Sequence, residues 1–285
     1  MSPLLPHFSE IAPNYDVLLC DVWGVVHNGV KAFPGACDAL MRARARGAVV
    51  VFITNAPRPH EAVGRQLDRL GVPRETHDAL VSSGDVTRSV IRSRPGQTLL
   101  HIGPERDHSV FAGLDVTFET LERADYVVCT GLDDDEAEGP EDYRARLETM
   151  LVRKMFMVCG NPDVVVDRGG TLVYCAGAIA DMYQTMGGEV LYAGKPYRPI
   201  YDMALDRAKE ALGRDVAPAR VLAIGDSVRT DLKGARTAGI DFLFITSGIH
   251  AEEVGGRDRP DAKALASVFA AAGEAPKAVM RHLAW

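Results

Sequence analysis

Short runs of apolar residues alternate along the chain with longer segments that carry apolar residues at helical spacing. The first two runs, 17–21 and 48–53, are continuous enough for buried strands, and segment 35–47 between them has a helical pattern. A strand, a helix and a strand joined by short links form a unit in which the two strands are parallel neighbours. Further runs predict strands at 98–102, 125–129, 155–159, 172–174, 190–193, 220–224 and 241–245.

Helical spacing between these runs completes an alternating pattern. It predicts helices at about 59–70, 85–93, 141–152, 176–186, 200–212 and 230–238. The loop at 93–97 interrupts the chain, a second α/β region follows it, and the last third returns to the first pattern. The fold class predicted from the sequence is therefore α/β with parallel sheets.

Polar residues follow four of the predicted strands. Asp21 ends the first strand, Thr54 and Asn55 end the second, and Lys195 and Asp226 each follow a later one. Any one of them alone fits the cap of a strand end as well as a site. In one parallel sheet, however, all would converge at the carboxyl edge, where such folds bind ligands. Two carboxylates, an ammonium group and a hydroxyl–amide pair suit a phosphate group with Mg²⁺.

Composition excludes several classes of protein. The chain has 285 residues and a formal net charge of −7, which disfavours a broad nucleic-acid surface. The five cysteines are widely spaced and include no Cys-x-x-Cys pair, which favours a reducing, cytoplasmic setting over a disulfide framework or a zinc site. No signal-peptide pattern and no membrane-spanning apolar run is recognisable, so no membrane partner is expected.

The motifs at these strand ends resemble those of a known family. The segments are 21–29 (DVWGVVHNG) with 33–36 (FPGA), 52–56 (FITNA), 194–196 (GKP) and 224–231 (IGDSVRTD), with NPD at 161–163. In this order and at these separations they resemble the haloacid dehalogenase-like superfamily. The similarity is to its class IIA branch of p-nitrophenyl-phosphatase-like and sugar-phosphatase-like hydrolases, and it covers nearly the whole chain.

The resemblance implies an architecture. It is a Rossmann-like core with a parallel sheet, formed by residues 1–90 and 188–285, into which a large α/β cap domain is inserted at 91–187. In such enzymes the cap closes over the site and excludes water. The resemblance therefore implies that the core and the cap both surround the substrate. It places Asn161 and Asp163 of the cap near the substrate.

The resemblance also implies a phosphomonoesterase mechanism. Asp21 would attack phosphorus and form an aspartyl-phosphate. Lys195 would stabilise charge on the transferring group, while Thr54 and the Asn55 backbone would bind its oxygens. Asp231 and Ser227 would lie in the layer just outside the residues that contact the metal. The cofactor implied is Mg²⁺, with ligands from Asp21, Asp226 and the backbone carbonyl of Trp23.

Simpler explanations exist for several of these residues. Asp231 could be an acidic residue favoured by a helix N-terminus. Asn161 and Asp163 could belong to an ordinary turn, and Lys195 to the surface. The acidic run 133–136 has the composition of solvated surface and lacks the spacing of a calcium loop.

One departure from the family pattern changes the functional expectation. Trp23 stands where the resembling phosphatases have a second Asp, which protonates the leaving oxygen and activates water. An indole has no group that titrates near neutral pH. General acid–base catalysis typically contributes about 10²–10⁴-fold, so a slow enzyme is expected.

Two functions therefore remain open. The first is a Mg²⁺-dependent hydrolase of small phosphorylated metabolites. The second is a weak or inactive relative that binds a phosphorylated ligand or a partner. Dehalogenation is disfavoured because the acidic metal ligands serve no purpose in it. The sequence does not identify the substrate, and it leaves open whether the chain forms a homo-oligomer.

Overall fold

The computed structural model describes residues 2–168, 171–256 and 259–285. Its strands are β1 (Val17–Cys20), β2 (Val49–Thr54), β3 (Ala79–Ser82), β4 (Thr98–Ile102), β5 (Thr117–Phe118), β6 (Tyr126–Cys129), β7 (Phe156–Cys159), β8 (Val165–Arg168), β9 (Thr171–Tyr174), β10 (Glu189–Tyr192), β11 (Val221–Gly225), β12 (Asp241–Ile245) and β13 (Ala278–Met280). Its α-helices are α1 (Pro34–Ala45), α2 (His60–Leu70), α3 (Ser83–Arg92), α4 (Arg144–Val152), α5 (Ala176–Thr185), α6 (Arg198–Leu212), α7 (Lys233–Ala238) and α8 (Ala262–Ala272).

Two compact units divide the chain. The first comprises Met1–Thr54, Gly64–Val81 and Pro196–Trp285, and the second comprises Asn55–Val63 and Ser82–Lys195. The chain leaves and re-enters each unit, so neither is a continuous segment. Each unit has its own sheet.

The sheet of the first unit has the strand order β13-β12-β11-β1-β2-β3. Strand β1 is parallel to β11 on one side and to β2 on the other, with Cys20 opposite Ile224 and Phe52. Every residue of β1, β2 and β11 is buried. This explains their continuous apolar runs, because a parallel strand covered on both faces has no polar side.

The sheet of the second unit has the order β10-β7-β6-β4-β5, and all its strand pairs are parallel. Helices α4 and α5 supply Leu147, Met150, Ile179 and Tyr183 to the core cluster under this sheet. Strands β8 and β9 form a separate antiparallel pair. Both sheets therefore confirm the α/β class predicted from the apolar runs.

Strand β10 corrects one expectation. The sequence placed Lys195 after a strand of the sheet that carries Asp21, but β10 pairs with β7 in the second unit. That placement is wrong, because a four-residue apolar run identifies a strand without identifying its partner. Thr54, by contrast, is the last residue of β2 and Asp226 directly follows β11, and these strands are the two neighbours of β1.

The chain after residue 248 holds elements that the apolar pattern did not predict. Helix α8 packs Leu265 and Phe269 into the core cluster of the first unit, and β13 forms an edge of its sheet. In the part of the chain that the structure describes, no helix is both long and apolar enough to cross a membrane.

Candidate active site

Three buried aspartates meet at the carboxyl edge of the first unit's sheet. Carboxylate oxygens of Asp21, Asp226 and Asp231 all lie within 4.8 Å of one another. Asp21 directly follows β1 and its N–H donates to the carbonyl of Ile224 on β11, at 2.8 Å. The three side chains are only 3–6 % exposed. The sequence predicted that Asp21 and Asp226 would converge here, and the structure brings them together.

The carboxylate of Asp226 lies in a space that only glycines leave open. A Cβ atom on Gly24 would lie 2.1 Å from its Oδ2, and one on Gly248 would lie 1.8 Å away. The N–H of Ile249 donates to the same oxygen at 2.8 Å. The loop after β12 thus orients Asp226. The sequence predicted the strand at 241–245 but gave the loop after it no role.

Asp231 is held by the turn that leads into α7. Its Oδ2 accepts the N–H of Ser227 at 3.1 Å, and its own N–H donates to the Ser227 carbonyl at 3.0 Å. The Ser227 Oγ accepts the N–H of Thr230, as a helix cap does. A side chain on Gly225 would clash with Asp231. Ser227 therefore holds Asp231 within the acidic cluster, and the predicted outer role of the two residues stays a prediction.

The donor set of this cluster fits a hard divalent cation. Three carboxylates buried so close together repel one another unless a cation or a proton neutralises part of their charge. Carboxylate oxygens are the ligands that Mg²⁺ prefers, together with waters and a phosphate oxygen. The described residues contain one other group of three metal-binding side chains, His60, Glu61 and Asp85. That group is more exposed, and the Asp85 carboxylate already caps α3.

Trp23 lies in the loop after β1, and its indole packs within that loop. The ring is half-buried and meets the imidazole of His27 edge to face, with centroids 5.1 Å apart. A Cβ atom on Gly29 would lie 2.7 Å from both Cζ2 and Cη2 of the indole. The predicted role of the Trp23 carbonyl as a metal ligand stays a prediction.

His27 is the second ring in this loop and is 2 % exposed. Burial lowers its pKa to about 4, so the ring is neutral near pH 7. Its Nδ1 accepts the N–H of Gly29 at 2.9 Å, which assigns the ring proton to Nε2. The sequence gave His27 no function, and in the structure it packs against the side chain that replaces the expected acid.

Thr54 is the last residue of β2 and is 7 % exposed. The two strands next to β1 therefore bring Thr54, at the end of β2, and Asp226, directly after β11, to either side of Asp21. This supports the expectation that the three residues share one edge. The contact of Thr54 with a phosphoryl oxygen stays a prediction.

In the second unit, Asn55, Asp163 and Lys195 form a polar network in which Asn55 and Lys195 are buried and Asp163 is partly buried. The Asn55 Oδ1 accepts the backbone N–H of Lys195 at 2.7 Å, and its Nδ2 donates to the Lys195 carbonyl at 3.1 Å. The same Nδ2 donates to Oδ1 of Asp163 at 3.0 Å. Lys195 is 3 % exposed, which contradicts its reading as a surface lysine.

The segment 161–163 is a turn that presents Asp163. The Asn161 Oδ1 accepts the N–H of Asp163 at 3.1 Å, and the carbonyl of Asp163 accepts the N–H of Gly177 at the start of α5. A side chain on Gly177 would clash with the carbonyls of Pro162 and Asp163. Asn161 thus shapes the turn, as the simpler explanation of this segment proposed.

Family models match the chain in two segments. Residues 18–117 match a model described as haloacid dehalogenase-like hydrolase, and residues 192–272 match one described as HAD-hydrolase-like. The first segment holds Asp21 and Thr54, and the second holds Lys195, Asp226 and Asp231. Both matched segments therefore include the motif residues singled out from the sequence.

Individual relatives cover nearly the whole chain. A 5′-nucleotidase of Bacillus subtilis, YutF, is 24 % identical over 84 % of this chain and 90 % of its own. A glycerol-3-phosphate phosphatase of Gallus gallus is 25 % identical over 89 % of this chain and 87 % of its own.

A solved structure from Brucella suis 1330, described as a hydrolase of the haloacid dehalogenase-like family, is more similar still. It is 44 % identical, has a TM-score of 0.88, and the match covers 98 % of this chain and all of the other. Identity and coverage at this level establish membership of a family and confirm the resemblance seen in the motifs. The chain belongs to the haloacid dehalogenase-like family of hydrolases.

Proposed function

We propose that the protein is a Mg²⁺-dependent phosphomonoesterase that hydrolyses small phosphorylated metabolites through an aspartyl-phosphate on Asp21. The observation that carries this proposal is the buried cluster of Asp21, Asp226 and Asp231 at the carboxyl edge of one sheet, where Asp21 follows β1 and the other two follow β11. The names of the relatives support it, because the B. subtilis and G. gallus proteins are a 5′-nucleotidase and a glycerol-3-phosphate phosphatase.

The first step would be attack of an Asp21 carboxylate oxygen on phosphorus. The P–O bond to the leaving group breaks, and the organic part departs as an alkoxide that needs a proton. Mg²⁺, held by Asp21, Asp226 and the carbonyl of Trp23, would offset the negative charge of the phosphoryl group. Asp231 and Ser227 would keep Asp226 and its surroundings in place from one layer further out.

In the second step a water molecule attacks phosphorus of the aspartyl-phosphate. Inorganic phosphate leaves, and the Asp21 carboxylate is regenerated. Both steps need a proton transfer that Trp23 cannot provide, because indole has no group that titrates near pH 7. We therefore propose that the enzyme is slow, or that it prefers substrates whose leaving group is stable as an anion.

The remaining residues would bind the phosphoryl group and the substrate. Lys195 would place an ammonium group beside the oxygens of the phosphoryl group that is transferred. The Thr54 hydroxyl and the Asn55 backbone N–H would donate to the same oxygens. Asn161 and Asp163 belong to the region proposed as the cap, residues 91–187. We propose a cytoplasmic location, since the five cysteines are buried free thiols, as is usual in a reducing compartment.

Turnover of p-nitrophenyl phosphate tests this proposal. The wild-type protein is expected to release p-nitrophenolate with Mg²⁺ and to lose that activity with EDTA. Asp21→Asn is expected to fall to the background rate, because the amide is not a nucleophile. Asp38→Asn is a matched control, since the Asp38 side chain on α1 is 49 % exposed and, among the described residues, pairs with Arg42 alone. Turnover that persists in Asp21→Asn would refute the nucleophile assignment.

A second candidate function follows from Trp23. The indole fills the position of the expected acid and is packed against His27 and Gly29, so the loop is built around it. A protein that binds a phosphorylated ligand without hydrolysing it would keep the acidic cluster and lose the acid. Mg²⁺-dependent binding of inorganic phosphate by isothermal titration calorimetry, without turnover of any phosphomonoester, would favour this candidate.

A further inference from the structure

We propose that Asn55 is a positioning residue whose side-chain amide fixes the backbone of Lys195, and that Asp163 fixes Asn55 in turn. The inference deepens the proposed function and rests on it, because it concerns the placement of the lysine ammonium. It also changes the role expected for two residues. The side chains of Asn55 and Asp163 act on Lys195 and not on the substrate.

The hydrogen bonds of Asn55 carry this inference. Its Oδ1 accepts from the N–H of Lys195, and its Nδ2 donates to the carbonyl of the same residue and to Asp163. An asparagine amide has two N–H donors, and both are used here. The side chain therefore has no N–H left for a phosphoryl oxygen, and it clamps one residue at both of its backbone groups.

Asp163 reinforces the orientation of the Asn55 amide, which the N–H and the carbonyl of Lys195 already require. An ionised carboxylate only accepts hydrogen bonds, so the end of the Asn55 amide that faces Asp163 must be the NH₂ group. The Oδ1 atom is then directed to the Lys195 N–H. Asn55 is 4 % exposed, and a charge-assisted hydrogen bond at low exposure is stronger than a neutral one.

Two glycines make room for the network. A Cβ atom on Gly194 would lie 2.3 Å from Oδ1 of Asn55 and 2.9 Å from Oγ of Ser83. Gly177 lets α5 approach the 161–163 turn and donates its N–H to the Asp163 carbonyl, at 3.1 Å. The start of α5 thus holds Asp163, Asp163 holds the Asn55 amide, and the Asn55 amide holds the backbone of Lys195.

The lysine needs such a clamp because its side chain is long. Its ammonium is carried on a flexible four-carbon stem, so a shift of the backbone displaces the charge directly. A misplacement of about 1 Å at a reacting group can cost roughly 10²-fold in rate. Fixing both backbone groups of Lys195 leaves only the side-chain rotamers to be ordered.

Three variants test the clamp. Asn55→Asp keeps one acceptor for the Lys195 N–H, loses both donors and sets two carboxylates against each other. Asp163→Asn keeps an acceptor but loses its charge. The double variant Asn55→Asp/Asp163→Asn exchanges the two groups, so the new amide can donate to the new carboxylate. Asp115→Asn is the control, because Asp115 lies in the same unit, is exposed and shows no hydrogen bond in the structure.

Two measurements separate positioning from stability. Amide hydrogen exchange of the peptide that contains Lys195 reports whether its N–H remains held. We expect faster exchange and a fall in kcat of roughly 10²-fold for Asn55→Asp, and of about 10-fold for Asp163→Asn, at temperatures well below each Tm. The double variant is expected to recover at least part of kcat relative to Asn55→Asp. Such recovery would not follow from a general loss of stability.

The possible failures are distinct. A wild-type protein without turnover would overturn the proposed function, and with it the catalytic role of the clamp. An active wild type whose Asn55→Asp variant exchanges faster at Lys195 yet keeps its kcat would overturn the positioning role alone. Unchanged exchange at Lys195 in both single variants would show that Asn55 does not hold that residue.

Discussion

The indole of Trp23 meets the imidazole of His27 edge to face, with ring centroids 5.1 Å apart. Backbone contacts join the same stretch, because the N–H of Gly24 donates to the His27 carbonyl at 2.8 Å and Trp23 and His27 form an isolated bridge. The residue that replaces the expected acid is therefore part of the packing of its own loop. Its substitution changes both the chemistry and the shape of the site.

Gly29→Ala is expected to destabilise the protein through this loop. The new methyl group would lie 2.7 Å from two indole atoms, and Gly29 has a φ of +84°. Gly47→Ala is the control, because Gly47 has a φ of +95° with no atom within 4 Å of its Cβ position. Strain at positive φ should cost both variants about 1 kcal/mol, and overpacking should cost Gly29→Ala about 1–3 kcal/mol more in urea unfolding. Equal losses of unfolding free energy in the two variants would show that the indole moves aside at no cost in stability.

Trp23→Asp and Trp23→Asn separate the chemistry of position 23 from its packing. Both variants lose the contacts with His27 and Gly29, and they are nearly identical in size. Only the aspartate can exchange a proton, so turnover of p-nitrophenyl phosphate with Mg²⁺ should be higher in Trp23→Asp. General acid–base catalysis sets the upper bound at about 10²–10⁴-fold. Equal rates in the two variants would mean that the missing acid does not limit the enzyme.

Asp226→Asn should remove the coupling between Mg²⁺ and stability. Wild type is expected to gain about 2.7 kcal/mol at a Mg²⁺ concentration of 100 Kd, because the ion binds only the folded acidic cluster. The variant should lose this gain, and without Mg²⁺ it should be more stable than wild type, since one of three neighbouring charges is gone. Thermal unfolding with Mg²⁺ and with EDTA measures both effects. Asp38→Asn, exposed on α1, should behave as wild type.

His101 should make stability depend on pH in the acidic range. Burial lowers its pKa to about 4, with a smaller contribution from His108. The unfolded chain therefore takes up the proton near pH 6.5 while the folded chain does not, so stability is full above pH 6.5 and falls as the pH drops toward 4. His101→Gln can keep the hydrogen bond to Thr130, 2.8 Å in the wild type, and should flatten this decline by about 3 kcal/mol. The same substitution at exposed His7 is the control for urea unfolding at each pH.

Gly194→Ala should disturb the clamp from its other side. The added Cβ would lie 2.3 Å from Oδ1 of Asn55, which would have to move away from the Lys195 N–H. We expect a loss of kcat comparable to that of Asn55→Asp. Gly64→Ala is the control, because Gly64 lies inside α2 with no atom within 4 Å of its Cβ position. A methyl group there should keep kcat and favour the helix.

The strands of the first unit could be predicted because their patterns are unambiguous. Strands β1, β2 and β11 are buried along their whole length, so their apolar runs are continuous and end at a polar residue. The convergence of Asp21 and Asp226 then followed from parallel pairing alone. Neighbouring parallel strands must end at the same edge of a sheet.

Other features depend on contacts that a single sequence does not specify. The run 190–193 gives no sign that β10 pairs with β7, and β5 and β13 are too short for a period to be recognised. The clamp on Lys195 joins residues separated by 140 positions, and no local motif signals it. Gly29 was noted only as part of a motif, and its contact with Trp23 appears once the loop is folded.

The course of the chain bears on how this protein could be recombined with its relatives. It first passes from the first compact unit to the second between Thr54 and Asn55, crosses back after Val63 and over again after Val81, and finally returns between Lys195 and Pro196. A chimaera that exchanged the whole second unit would therefore import a foreign Asn55 and a foreign Lys195. The donor's equivalents of Asp163 and Gly194 would come with them, so the clamp would be transplanted intact. A graft cut within this unit would divide the clamp, so the unit is best exchanged with those four positions kept together.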